Sequence, residues 1–378
     1  MSLLINKNLP FWIKIFFYHA VCLDALPWIV YKKRRESKKF AMSVASFPAL
    51  RLRRNRSSVW CRNLVAESIL GISDLIWPVF IREAHLSPSI KTMPDVRRFS
   101  LEEIDEVVSL AKQHKIQAVA FFPVTAIEDR DEEGSGALKE NGLLIEAIRR
   151  FKALAPDIGL ITDVALDPYT SHGHDGILVE GEIHNDQTLE KLSRFAVLQA
   201  KAGADIIAPS DMMDGRIGTI RQALDDNGYH NVALLSYAAK YASCLYGPFR
   251  EAVESSRCLG LQDKKTYQMD YRNSDEALRE VEQDLQEGAD AVMIKPATFY
   301  MDILHRVKTS FKVPTFAFHV SGEYTMLKLS ASAGIMDYKV SILEVLSSLK
   351  RAGADAIITY AALDVAAHLL GLEASHDD

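Results

Sequence analysis

Two lysines stand where apolar side chains belong. Lys240 ends the run LLSYAAK and Lys295 lies inside AVMIKPA, both runs otherwise built like buried strands. Snorkelling lysines with wet ammonium heads are one reading of such positions. A chemical reading takes the two together. Two ammonium groups converging in a partly desolvated pocket disfavour each other's charge, and a free amine is the species that attacks a carbonyl to form a Schiff base. Bringing a lysine from ~10.4 to ~7 requires about 4 to 5 kcal/mol of differential destabilisation, within reach of burial plus one like charge.

Other polar clusters sit at the ends of neighbouring runs. DVALDPYTSHGHDG (163 to 176) carries Asp163, Asp167, Asp175, His172 and His174. A polar turn explains this composition. Equally, Asp167 and Asp175 converging across the loop would suit Mg²⁺, which prefers carboxylate and water, while His-x-His is a weak zinc signal. APSDMMDGRIG offers Asp211, Asp214 and Arg216 as a polar mouth or an anion contact. Arg250, Lys264 and Gln268 follow Lys240. They read either as a solvated basic loop or as the cations that a substrate carboxylate would need beside a lysine pair. Ser321 and Tyr360 add hydroxyl donors at the ends of the last two runs.

Positioning these groups requires a scaffold, and the chain from Leu75 alternates in a way that defines one. Eight apolar runs recur: 75–81, 118–124, 159–166, 205–210, 232–239, 291–297, 315–321 and 356–362. Segments of helical periodicity such as LEEIDEVVSLAKQH separate most of them, the pattern of a parallel sheet covered by helices. AGAD (202–205), EGAD (287–290) and AGAD (352–355) form a weak repeat in which Gly is placed to end a helix in the left-handed conformation. Eight units predict an α/β fold of the (β/α)8 TIM-barrel type, with chemistry at the C-terminal strand ends, and put the two lysines on strands five and six. No G-x-G-x-x-G or P-loop pattern opens a helix after a strand, so no nucleotide cofactor is expected.

The predicted organisation is an extension over 1–41, an N-terminal arm for subunit contacts over 42–74, and a catalytic barrel over 75–378. The stretch LPFWIKIFFYHAVCLDALPWIVY is apolar but broken by Lys14, His19 and Asp24. It fits a membrane span or a signal peptide poorly, so no membrane partner is expected. An upstream extension before Met42, a membrane-associated segment and an ordered arm are the three readings weighed for it. Four scattered cysteines, Cys22, Cys61, Cys244 and Cys258, suggest neither a disulfide framework nor a thiolate metal site. A reducing cytoplasm is the default localisation. A net charge of −6 disfavours nucleic-acid binding, and RLRRNR (51–56) reads instead as an arm meeting an acidic partner subunit.

Taken in order, RLRRNR with WCRNLVAES, LIWPVFIRE, ITDVALDPYTSHGHDG, GADIIAPSDMMDGRIG, SYAAKYASCLYGPFREA, MIKP, VSGEYTMLK and LKRAGADAIITYAALD resemble the 5-aminolevulinate dehydratase (porphobilinogen synthase) family from about Phe47 to Leu370. The resemblance implies a lyase that condenses two 5-aminolevulinate molecules to porphobilinogen with loss of two waters, in tetrapyrrole and heme synthesis. By the same resemblance Lys295 binds the first (P-side) substrate as a Schiff base and Lys240 engages the second (A-side). Ser321 and Tyr360 would hold the P-side carboxylate; Arg250 with Lys264, aided by Gln268, the A-side one. Loop 167–176 would be a mobile lid. Independently of the resemblance, Asp163 or a metal-bound water is the candidate base for the carbon–carbon bond.

The family's zinc-dependent members carry three cysteines where this chain has Ala165, Asp167 and Asp175. No zinc is therefore expected, and the sequence resembles the Mg²⁺-responsive branch. In this branch Glu280 matches an allosteric Mg²⁺ position, with Asp167 and Asp175 as an active-site pair. The resemblance also implies a homo-octamer. Two departures stand out: Lys264 occurs where Arg is usual, replacing a bidentate fork by a point charge, and Phe318-His319 replaces Tyr-Gln. A Schiff-base aldolase and an inactive scaffold barrel are the competing readings. One lysine would suffice for the first, and the lysines and aspartates argue against the second.

Overall fold

The computed structural model describes residues 46–254 and 263–372. By contacts the chain divides into two units, Met1–Ala66 and Glu67–Asp378. The division falls before residue 74 because Ile72–Asp74 belongs with the barrel. It leads directly into the first strand, and Asp74 pairs with Lys350 at 3.1 Å. In the first unit a 3-10 turn, Leu52–Arg56, precedes a short helix, Val59–Leu64, capped by the Ser58 hydroxyl. Its arginines bond within the unit, Arg51 to the Pro48 carbonyl and Arg62 to that of Arg56. Residues 1–45 lie outside the described residues.

The second unit is the (β/α)8 barrel that the alternation predicts. Its strands are β1 (Leu75–Arg82), β2 (Ala118–Val124), β3 (Gly159–Val164), β4 (Ile206–Pro209), β5 (Ala233–Lys240), β6 (Ala291–Lys295), β7 (Thr315–His319) and β8 (Ala356–Thr359). All neighbours are parallel, and β8 closes onto β1 through Ile357 opposite Leu75. The main covering helices are α1 (Ile104–Gln113), α2 (Leu143–Leu154), α3 (Asn185–Ala202), α4 (Arg216–Asp226), α5 (Gly247–Ala252), α6 (Asp275–Gln286), α7 (Met301–Phe311), α8 (Ser321–Ser332), α9 (Tyr338–Ala352) and α10 (Ala362–Leu370). Helix α1 shows why they dock: Ile104, Val107, Val108 and Ala111 are buried at i, i+3, i+4 and i+7, one apolar stripe against the sheet.

The internal repeat has a structural role beyond its glycines. Gly203, Gly288 and Gly353 take φ of 114°, 106° and 123°, as helix C-caps require. Each is followed two residues later by an aspartate whose Oδ2 accepts a backbone N–H from the first or second residue of the adjacent strand. Asp205 takes Leu160 (2.8 Å), Asp290 takes Leu234 (2.8 Å) and Asp355 takes Thr315 (2.7 Å). Lys152 and Lys308 neutralise the first and the third of these carboxylates. The repeat thus stitches the N-terminal rim of the barrel.

Candidate active site

At the opposite rim the strands deliver the lysines together. Lys240 and Lys295 are direct register partners across β5 and β6. Reaching that pairing takes an irregularity. Ser236 pairs with Val292 but Ala239 with Ile294, so β5 carries one extra residue. Tyr237 and Lys240 are three apart and would face opposite sides of a regular strand. Here the Tyr237 ring lies 5.9 Å from Lys240 Nζ and 5.0 Å from Lys295 Nζ. The bulge turns Lys240 inward.

The two amines meet different surroundings. Lys295 Nζ is enclosed by Phe318 (4.4 Å to the ring centroid), Tyr237, Phe249 (5.1 Å) and Tyr246 (5.5 Å), and donates no hydrogen bond among the described residues. Burial, and then the neighbouring Lys240 charge, push its ammonium down to about 7. Lys240 is held by polar partners instead. It donates to the Ser210 carbonyl and lies 3.6 Å from Asp175 Oδ2.

Asp163 faces the same space. Burial raises it to about 6 although both lysines oppose the shift, and its Oδ1 has no partner among the described residues. A carboxyl poised near neutrality beside two amines is placed to move protons. These groups line a cavity of only about 30 Å³, room for little more than a water. Arg250, Lys264 and Gln268 line it and also an adjoining cavity of about 890 Å³.

Asp167 and Asp175 do come together, but around a cation of the protein itself. Lys264 Nζ lies 3.2 Å from Asp167 Oδ2 and 2.7 Å from Asp175 Oδ1. Burial alone would lower the Lys264 ammonium, yet the two carboxylates outweigh it and hold it above its usual value. Burial raises Asp167; in Asp175 the Lys264 and Lys240 charges overcome burial and keep it low. The ammonium fills the space that a shared metal would take, so the pair as placed does not fit active-site Mg²⁺. Lys264 is correspondingly committed to these aspartates rather than left to a substrate carboxylate.

Ser321 is also engaged, accepting from the Phe249 N–H (2.9 Å) and donating to the Leu245 carbonyl (3.3 Å). It ties α8 to α5, the short helix that carries Phe249. The Tyr360 hydroxyl is buried without a partner among the described residues, as is Gln268 Oε1. Both have hydrogen-bonding capacity to spare. His172 and His174 bond to the Glu132 carbonyl and the Tyr267 hydroxyl. No group of three or more His, Cys, Asp or Glu among the described residues is arranged to hold a metal. Glu280, on α6, lies away from the lysines on a cavity of about 850 Å³ that Asp214 and Glu276 also line. A single carboxylate with acidic neighbours suits an ion that keeps most of its water, as Mg²⁺ does.

Several groups in the site carry no motif of their own. Ser210, Tyr237, Tyr246 and Phe249 are recognisable only once the lysines are placed. Their one sequence signal is aromatic residues flanking Lys240 at short spacing. Arg216 is not an anion contact at the mouth: it is buried against Asp284.

A closed (β/α)8 barrel with two buried lysines and a near-neutral carboxyl at its C-terminal mouth has the architecture of a barrel enzyme, whose chemistry sits at that mouth. The sequence model of the Delta-aminolevulinic acid dehydratase family matches residues 49–368, and the chain belongs to that family of lyases. Delta-aminolevulinic acid dehydratase of Bradyrhizobium diazoefficiens is 49% identical over 321 residues, 85% of this chain and 91% of that one. The Bacillus subtilis protein of the same name is 47% identical over 318 residues, 84% and 97% of the two chains. A crystal structure of the Toxoplasma gondii enzyme (porphobilinogen synthase), in complex with the reaction product porphobilinogen, superposes with a TM-score of 0.83. It is 45% identical and covers 85% of this chain and 92% of its own.

Proposed function

We propose that the protein condenses two molecules of 5-aminolevulinate to porphobilinogen through two lysine Schiff bases. The observation that carries this reading is the register pairing of Lys240 with a Lys295 whose ammonium is lowered to about 7. Neutral Lys295 Nζ adds to the ketone of the first substrate; loss of one water leaves an iminium inside the aromatic enclosure, whose ring faces favour a cation. Lys240 captures the second ketone in the same way with loss of the second water. Asp163 takes the proton from the carbon next to that iminium, and the resulting enamine attacks the first iminium carbon to form the carbon–carbon bond. The first substrate's amine then displaces Lys240, and elimination releases Lys295. The balance is two substrates to one pyrrole and two waters, with both lysines restored.

Tyr360, and Ser321 after it leaves its present partners, hold the P-side carboxylate in this reading. Arg250 and Gln268, with Lys264 once released from the aspartates, hold the A-side one. Glu280 would hold a regulatory Mg²⁺ with Asp214 and Glu276 nearby, supplying charge neutralisation at α6 rather than chemistry at the lysines. The assembly is a homo-octamer in the reducing cytoplasm, so light scattering should give eight times the chain's 42.2 kDa; a monomer mass contradicts it.

The test is porphobilinogen formation from 5-aminolevulinate by the full chain after EDTA, with Mg²⁺ or Zn²⁺ restored. Product that Mg²⁺ raises and that needs no zinc supports the reading. A folded protein that yields none under any metal refutes it.

A further inference from the structure

Outside the barrel wall, behind Lys240, lies a buried ionic cluster that the chemistry above does not use. Arg216, at the start of α4, points its guanidinium between α6 and β5. It donates from Nη2 to Asp284 Oδ2 (3.2 Å), to Ser236 Oγ (3.1 Å) and to the Tyr237 carbonyl (3.3 Å). From Nη1 it donates to the Met213 carbonyl (3.3 Å), and its Nε lies 3.8 Å from Asp211 Oδ2. Ser236 Oγ also donates to Asp284. Arg216, Asp211, Asp284 and Ser236 are all buried. A buried cluster of this kind is not more stabilising than apolar packing of the same volume. What it supplies is position.

Two of the positions it fixes bear on one amine. Ser236 and Tyr237 are the residues at which β5 slips register, the slip that turns Lys240 inward. Met213 closes the loop after β4. There Asp211 Oδ1 accepts the Met213 N–H (2.8 Å), and Met212 sits at φ 66°, a conformation that side-chain-bearing residues adopt at a cost. Ser210, whose carbonyl receives Lys240 Nζ, immediately precedes this turn. The guanidinium therefore grips the bulge that aims Lys240 and the loop that catches it. None of the side chains of Arg216, Asp211, Asp284 and Ser236 bonds to Lys295; the cluster's one link to it is the Tyr237 ring, 5.0 Å from Lys295 Nζ, whose residue it holds only by the backbone carbonyl.

We propose that Arg216, clamped by Asp284, is a positioning residue for Lys240 and not for Lys295. The inference rests on the lysine reading given above, and its test separates the two. Full-length protein, Arg216→Met and Arg216→Lys are incubated with 5-aminolevulinate, reduced with borohydride, and the adducts assigned to each lysine by peptide mass. Arg216→Met is expected to lower the Lys240 adduct about tenfold or more and kcat about a hundredfold, the cost of roughly 1 Å of misplacement, with the Lys295 adduct little changed. Arg216→Lys, which keeps the charge but loses the fork, should recover part of the Lys240 adduct.

Parallel loss at both lysines in folded protein, or no loss at Lys240, overturns the proposal. If Arg216→Met does not fold, Ser236→Ala and Asp284→Asn each remove one grip and should lower the Lys240 adduct alone. If the unaltered protein forms no adduct, the Schiff-base reading fails. The positioning claim is then read from labelling by methyl acetimidate without substrate: a change confined to Lys240 supports it, since a buried lysine's reactivity follows its surroundings, and equal or unchanged labelling rejects it.

Discussion

The two rims of the barrel place their charges differently, exposed and paired at one end, buried and in part unpaired at the other. At the N-terminal rim Asp205, Asp290 and Asp355 each accept a strand N–H, and two of them also meet a lysine. At the C-terminal rim Asp163 Oδ1, Gln268 Oε1 and the Tyr360 hydroxyl lack partners among the described residues, and two lysines face each other across adjacent strands. Matched groups hold strands together, whereas unmatched groups in a dry site raise the free energy of the resting state and are relieved only when a substrate supplies what is missing. One barrel thus separates stability from chemistry along its axis.

The sharpest way to break this contrast is to remove one charge from each rim. Lys295→Ala should lower kcat by at least about 10³-fold while leaving thermal stability equal or higher, because it removes a buried amine without a hydrogen-bond acceptor. Asp355→Ala should do the reverse, leaving kcat nearly unchanged and costing about 1 to 3 kcal/mol in a denaturant titration. Activity surviving in Lys295→Ala contradicts the covalent reading.

The pH dependence sharpens the contrast next. With Lys295 lowered to about 7, the acid limb of kcat/KM should fall roughly tenfold per pH unit below that value as the amine becomes protonated. The same residue links pH to stability. The unfolded chain keeps Lys295 protonated up to its ordinary 10.5, while the folded chain releases that proton above about 7. Stability contributed by this site therefore rises with pH across that window, and the penalty is full below about 7. Lys295→Met should be more stable than the unaltered protein, with the gap largest below about 7 and closing toward 10.5. A pH-independent gap is inconsistent with a displaced lysine. The smallest effect is expected from Tyr360→Phe, which removes one hydroxyl that awaits a carboxylate: KM should rise about tenfold, the worth of one hydrogen bond to a charged group, with kcat little altered.

Much of this was legible in the sequence because continuous apolar runs and helical periodicity report directly on burial. The run AVAFFPV is β2 residue for residue, and Lys240 and Lys295 fall on strands five and six as counted. What was not legible depends on contacts between distant segments. Nothing in DKKTYQ indicates that Lys264 spends its charge on Asp167 and Asp175, nearly a hundred residues earlier. The bulge that makes the lysine register work is invisible to a period-two reading, which would turn Lys240 away from Tyr237. A faint signal existed for Asp284: it falls at i+7 of the stripe that Ala277 and Val281 begin on α6, where an apolar residue belongs. The cis peptide between Lys295 and Pro296 had no signal beyond the proline itself.

The central claim is that Lys295, the dry amine, captures the first substrate and Lys240 the second. The most direct measurement is rapid-quench borohydride trapping with one equivalent of 5-aminolevulinate, followed by peptide mass assignment of the adduct over the first turnovers. The account predicts the adduct on Lys295 first, with Lys240 modified only as substrate is raised. An adduct that forms first on Lys240, or a productive turnover with Lys295 never modified, would contradict it.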